Sequence, residues 1–240
     1  MHNRKEWQLL NLPVTAYREA LQLQHRLVSA RVAGKCRDVV IVVEHPPVFT
    51  LGNRGGAENF LVAEELLAEH QIEVVQTERG GNITFHNPGQ LVVYPIVDLR
   101  QAGLSVHRYV EMLEEVMIRT ALHFGIHAGR NAKNRGIWVG EAKVGSVGIR
   151  VRRQVSFHGL ALNVSNDLTP FSWMHPCGLS GVSVTSLTKE KRCEVPLALV
   201  RERLIAEFQT LFVVSLQEIS SVAFKQRLDE TEVPVAEQGR

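Results

Sequence analysis

Cysteine is scarce: Cys36, Cys177 and Cys193 are an odd set of three, with no CxxC spacing among them. They cannot all pair, so a full disulfide framework is excluded, as are the common zinc and thiol-redox motifs, and a reducing compartment fits best. Net charge is also in short supply. The net value of +2 and the absence of a basic run interleaved with aromatics exclude nucleic acid as the main partner. The longest apolar run, Val39 to Val43, is far too short to cross a bilayer, and the opening residues Met1 to Trp7 contain no apolar signal segment. A cytoplasmic protein with no membrane partner is expected, and no internal repeat is present.

The 45% of hydrophobic and 22% of charged residues are ordinary for a chain with a substantial core. No stretch reads as a linker, so residues 1–228 are expected to form one domain, with a polar, fraying tail at 229–240. Apolar residues at helical spacing predict helices over 16–32, with Thr15 as N-cap, over 106–124, capped by Ser105 and stopped at Gly125, and over 197–211, begun at Pro196. A short helix is expected at 64–70. The β-branched run Val39–Val43 predicts a central strand covered on both faces. Strands are also expected at 74–75, 137–139, 144–149 and 155–164, and at 91–99, where Pro95 points to a sheet edge or a bulge. Helices and strands that do not strictly alternate argue for an α+β fold with a mixed sheet flanked by helices.

Several residues invite a chemical reading beside a plainer one. Cys177 stands between Pro176 and Gly178, which can present a sulfur at an uncrowded turn, although a free cysteine is commonly just a small buried hydrophobe. Gly80 and Gly81 after Arg79 let backbone approach a ligand and turn N–H groups toward an anion or a carbonyl oxygen; a simple hairpin turn is the alternative. His86 is either structural or functional. Gly145 and Gly148 clear space for an apolar ligand or for another backbone. Two basic clusters, Arg130 to Arg135 and Arg150, Arg152 and Arg153, are either solvated faces or a landing site for an acidic protein.

Taken together, the motifs resemble one family. They are Glu44-His45-Pro46-Pro47-Val48-Phe49-Thr50-Leu51-Gly52; Arg79 to His86; Pro88 to Pro95; Lys143 ahead of Gly148; Phe157 to Asn163; and Pro176-Cys177-Gly178. In that order they resemble the lipoyl(octanoyl) transferases over roughly residues 7–212. One departure is visible: His86-Asn87-Pro88-Gly89 replaces the family's His-Gly-Pro-Gly, and asparagine tolerates positive φ well enough to keep the turn.

The resemblance implies a biotin/lipoate protein ligase-like fold and transfer of an octanoyl group from acyl carrier protein to a lysine of a lipoyl domain. The acceptors would be the E2 subunits of 2-oxoacid dehydrogenases and the glycine cleavage H protein. It implies Cys177 as the acyl-thioester nucleophile and Lys143 as the group that lowers its pKa, with no cofactor and no metal. It assigns acyl-substrate binding to Arg79, Gly80, Gly81, Asn82, Ile83, Thr84, Phe85 and His86, to Ser146, Val147 and Gly148, and to Gly159, Leu160 and Ala161. The chemistry is consistent, because an ammonium beside a thiol of pKa about 8.5 favours the thiolate. The alternatives are an ATP-dependent lipoate or biotin ligase on the same fold, a thiol hydrolase pairing Cys177 with His86 or His158, and a non-catalytic carrier-binding module.

Overall fold

Val39–Val43 forms strand β2, buried along its whole length, and the remaining elements are laid out to either side of it. The computed structural model describes residues 4–131, 134–175, 182–221 and 224. In chain order the flanking elements are β1 (Lys5–Asn11) and α1 (Tyr17–Val32) before β2, then β3 (Val48–Leu51), α2 (Glu64–Glu69), β4 (Glu73–Gln76), β5 (Ile83–His86) and β6 (Gln90–Asp98). There follow α3 (Leu99–Ala102), α4 (Val106–His123), β7 (Gly129–Asn131), β8 (Asn134–Val139), β9 (Ala142–Arg152) and β10 (Val155–Asn163). The chain closes with β11 (Ser183–Val184), α5 (Leu187–Lys191), α6 (Leu197–Phe212) and β12 (Val214–Glu218).

The main sheet runs β12-β1-β2-β6-β10-β9-β8-β7, with β11 beside β9. Pairing is parallel at β12-β1 and β1-β2 and antiparallel from β2 to β7, so the sheet is mixed. Period-two alternation sorts its side chains onto two cores. Val40, Val42, Leu91, Val93 and Val97 meet α4 and α6 on one face, while Val39, Ile41, Val43, Val92 and Ile96 meet α1 on the other. Each such aliphatic side chain contributes about 1.5–3 kcal/mol when fully buried. A smaller sheet, β4-β3-β5, surrounds its own aromatic core of Phe49, Phe85 and Phe171.

Three expectations change. Thr15 does not cap α1: the N-cap is Ala16, and the Thr15 hydroxyl donates to Pro13 O at 2.8 Å instead. The Asn87 turn takes its positive φ at Gly89, where a Cβ would come within 2.8 Å of Asn166 N. Asn87 instead clamps the turn through its amide, donating to Asp167 O at 2.9 Å and accepting from Asn166 Nδ2 at 3.0 Å.

Pro95 lies in the middle of the sheet, paired with Val40 of β2. The sheet accommodates it by opening the ladder on its other side. β10 pairs with β6 at Ser156–Val97 and again at Leu160–Val93, with no pair recorded between them. His158 takes φ +54 there, and its N–H, turned out of the ladder, donates to Gln24 Oε1 of α1 at 2.7 Å. Gly159 is needed because a Cβ would overlap the Val93 carbonyl oxygen and approach Pro95 Cδ to 2.8 Å. The 229–240 tail lies outside the described residues.

Candidate active site

A cleft with about 570 Å³ of free space, partly open to solvent, lies on the α1 face of β6, β10 and β9. The expected residues of three separate segments meet in it: Arg79 to Thr84 with His86, Ser146 to Gly148, and Gly159 to Ala161. Lys143 joins them. Phe85 does not, and the reason is the alternation along β5. Thr84 and His86 face the cleft, whereas Phe85 is buried against Phe49 and Phe171 at ring separations of 4.6 and 5.9 Å.

Arg79 works largely as a scaffold. Its guanidinium donates to Thr50 O, Thr50 Oγ1, Asn82 O and Gly80 O, holding the glycine loop in place. The Gly80 N–H is spent on Ile149 O at 2.9 Å, so it cannot serve an anion as the sequence suggested. Gly148 admits this loop, since a Cβ there would lie 2.9 Å from Gly80 O. Gly145 has a different purpose: its missing Cβ makes room for Met117 Sδ and Ile137 of the helix-packed core, not for a ligand.

Lys143 is buried, 5% exposed, at one end of the lining. Its Nζ lies 5.4 Å from the Trp138 ring centroid, where the aromatic face favours a cation. Gly136, at φ +117, leaves space for the lysine stem, because a Cβ there would come within 2.9 Å of Lys143 Cε. A second, smaller cavity shares Ile83, Thr84, Lys143 and Ser146 with the first and continues to Met174 and Val184. Lys143 therefore stands where two cavities meet. Cys177 lies outside the described residues, but its flanks are anchored: His175 N–H donates to Asn59 O at 2.8 Å, and Val184 pairs with Lys143 itself.

A hydrogen-bonded chain links this end to His86. The ring nitrogen Nδ1 lies 2.6 Å from Gln90 Oε1, an acceptor, so the proton sits on Nδ1. Gln90 Nε2 donates to Asn163 Oδ1, and Asn163 Nδ2 donates to Thr185 O. Burial above all, then the neighbouring His45, lowers the His86 pKa to about 3. His45, lowered to about 4 by burial, bonds Thr15 O and the Tyr94 hydroxyl. Both rings are neutral at pH 7, so neither is available as a resting general acid.

Tyr17, Val92, Tyr94, Asn134 and His158 also line the cleft and were not among the expected binding residues. Tyr17 reads in sequence as one more apolar position of α1. In the fold its ring stacks on His86 at 5.7 Å, and burial raises its pKa to about 12. Its place in the first turn of α1, where the helix starts over the sheet, was the available signal. Of the remaining cysteines, Cys193 is exposed, while burial pushes the Cys36 thiol up to about 11, which disfavours its thiolate. No helix among the described residues is long and apolar enough to cross a membrane.

A mixed sheet with helices on both faces and a buried lysine beside a lined cleft is the build of a lipoate or biotin ligase-like catalytic domain. Solved structures agree on the fold. A bi-partite lipoate protein ligase from Thermoplasma acidophilum superposes with TM-score 0.68 at 16% identity, covering 94% of this chain and 91% of the other. A biotin protein ligase from Aquifex aeolicus gives TM-score 0.53 at 11% identity, covering 87% and 71%. In sequence, residues 16–209 match the lipoyl protein ligase A/B catalytic domain. The octanoyltransferase of Desulfotalea psychrophila is 47% identical over 207 residues, 85% of this chain and 93% of that protein. The chain belongs to the octanoyltransferases of this family and is an acyltransferase.

Proposed function

We propose that the protein moves an octanoyl group from acyl carrier protein, through a thioester on Cys177, to the target lysine of a lipoyl domain. The observation that carries the reading is the position of Lys143, buried where the two cavities join and paired in the sheet with the described flank of the Cys177 segment. The names of the relatives supply the octanoyl group. The Thermoplasma ligase, described together with its E2 lipoyl domain, suggests the acceptor.

In the first half-reaction the Cys177 thiolate attacks the donor carbonyl, the carrier C–S bond breaks, and Lys143 gives its proton to the departing thiolate. The exchange is nearly balanced because one thioester replaces another. In the second, the incoming lysine, whose unperturbed pKa is about 10.4, sheds its ammonium proton to solvent, and neutral Lys143 takes the next proton from the amine as that nitrogen attacks the acyl carbon. The C–S bond to Cys177 breaks, an amide forms, and the thiolate is restored. Amide formation from a thioester runs downhill, so no ATP is consumed. Burial of the acyl chain in the cleft contributes about 0.8 kcal/mol per methylene.

Incubation with octanoyl-acyl carrier protein, without acceptor and without ATP, should add one octanoyl group to the intact protein, mapped to Cys177 and discharged by a lipoyl domain. An unmodified protein, or release of free octanoate in place of amide, would remove this reading.

A further inference from the structure

His158 has an unusual position for a side chain that lines a cleft. It is 1% exposed, yet neither ring nitrogen has a hydrogen-bond partner among the described residues. The nearest acid, Glu78 Oε2, is 3.9 Å from Nε2, too far for a hydrogen bond. The ring is wedged between Phe157, stacked at 4.9 Å, and Tyr94, edge-on at 6.5 Å. Four features fix it there: the φ of +54, the Gln24 acceptor, the missing N–H of Pro95 and the missing Cβ of Gly159. Such strain in a non-glycine residue persists only where the surroundings over-determine it.

Strand register places this ring relative to Lys143. His158 pairs with Ile149, Gly159 with Gly148 and Ala161 with Ser146. Lys143 precedes Ile149 by six residues on β9, so the two ends of the lining are about 20 Å apart at ~3.3 Å per residue. An extended eight-carbon chain covers about 9 Å, given C–C bonds of ~1.5 Å. Once the lysine head and the imidazole have each taken up their own reach, a chain that begins beside Lys143 ends just short of His158. Two to four further methylenes would press its methyl end onto the ring.

We propose that His158 is the polar end wall of the acyl cleft and sets the upper limit of the acyl length that the enzyme accepts. The inference rests on the octanoyl reading given above and adds the residue that selects the chain length. At neutral pH the ring is uncharged, because burial holds its pKa down near 3 against the opposing pull of Glu78. A neutral imidazole still offers one donor and one acceptor. An octanoyl chain stops short of the wedged ring, whereas a longer apolar chain must push it aside and offers nothing to its donor and acceptor, which is costly.

The test compares octanoyl, decanoyl and 10-hydroxydecanoyl groups, each delivered on acyl carrier protein, by kcat/KM. Wild-type enzyme should prefer octanoyl to decanoyl by at least about tenfold, the range set by overpacking a filled site. A terminal hydroxyl, able to bond the ring, should recover much of the loss. His158→Leu should raise decanoyl relative to octanoyl by about tenfold and abolish the hydroxyl advantage. His158→Asn, which tolerates positive φ and keeps a polar head, should retain the wild-type order. Equal rates for decanoyl and 10-hydroxydecanoyl on the wild type would overturn the proposal without any variant, and so would an unchanged ratio in a folded His158→Leu. Failure of the wild type to accept octanoyl at all would instead defeat the underlying functional reading.

Discussion

Thr185 donates its backbone N–H to the carbonyl oxygen of Lys143 at 2.9 Å, one residue beyond the Val184–Lys143 pair. Asn163 of β10 in turn donates to Thr185 O, so β10 and β11 share one edge of β9 and grip it end to end. The described flank of the Cys177 segment is therefore fixed to the same strand residue that carries the lysine. A nucleophile on that segment and a proton carrier on β9 would share a common frame, which is what acid–base catalysis at a thioester requires.

Lys143→Ala should depress both half-reactions, since it removes the charge that favours thiolate and the base that frees the amine. Lys143→Arg separates the two. A guanidinium keeps the charge but holds its proton, so single-turnover mass spectrometry should show more acyl-Cys177 than in the alanine variant, with discharge to the lipoyl domain still failing. Discharge at the wild-type rate would refute the acid–base role.

Gly159→Ala should destabilise the fold by about 2–3 kcal/mol or more, because the added Cβ meets Val93 O and Pro95 Cδ in a packed central sheet. Urea denaturation provides the measurement. A loss below about 1 kcal/mol would mean that β6 and β10 part easily at this point.

Acid should weaken the protein in a defined window. His45, His86 and His158 carry folded pKa values of about 4, 3 and 3 against 6.5 in the unfolded chain. Above pH 6.5 they are neutral in both states and contribute no slope. As pH falls below 6.5 the unfolded chain takes up protons that the fold refuses. Each ring then subtracts stability at about 1.4 kcal/mol per pH unit until its folded pKa is reached. Urea midpoints measured from pH 7 to pH 4 should fall steeply, and His86→Asn should flatten the slope. A midpoint that stays level over this range would show that these rings are not buried neutral.

The long amphipathic helices were plain in the sequence because their apolar period is unbroken, and α4, Val106–His123, is capped by Ser105 as foretold and ends within two residues of Gly125, which takes φ +78. The glycine-rich loop and the β9 and β10 segments were also readable as partners, since their residue types suit a lined slot. Phe85 was misplaced because a motif is contiguous in sequence while a strand splits alternate side chains between two faces. Pro95 misled for a related reason: local preference knows nothing of a neighbour that opens its ladder. The turn at Arg153–Gln154 has φ of +48 and +71 without glycine or asparagine, so nothing in its composition announces it. β1 and β12 were missed because neither is a long apolar run; each makes sense only beside the other.

The two basic clusters differ in a way that composition hides. Arg130 pairs with Glu114 and Glu115 of α4, and Arg135 lies 3.8 Å from Glu114. Arg150, Arg152 and Arg153 are exposed and make no ion pair among the described residues. Arg150 and Arg152 leave β9 on the same face as Ser146 and Gly148, since Val147, Ile149 and Val151 pack on the α4 side. Reversing Arg152 and Arg153 to glutamate should raise KM for the acyl carrier several-fold at low salt and reduce the salt dependence of kcat/KM. Arg130→Glu should instead lower the melting temperature. An unchanged salt dependence in the Arg152/Arg153 variant would exclude this hairpin as the landing site.

The outer edge of β1 waits a long time for its partner. Residues 5–9 pair in parallel with 214–218, so β12 reaches them only after more than 200 further residues have left the ribosome. Until then a strand carrying Trp7 and Leu9 presents unpaired backbone to the cell, the kind of edge that recruits other chains. Messages or proteases that shorten the chain before Val214 would therefore produce an adhesive species, even though every residue around the cleft would already have been made.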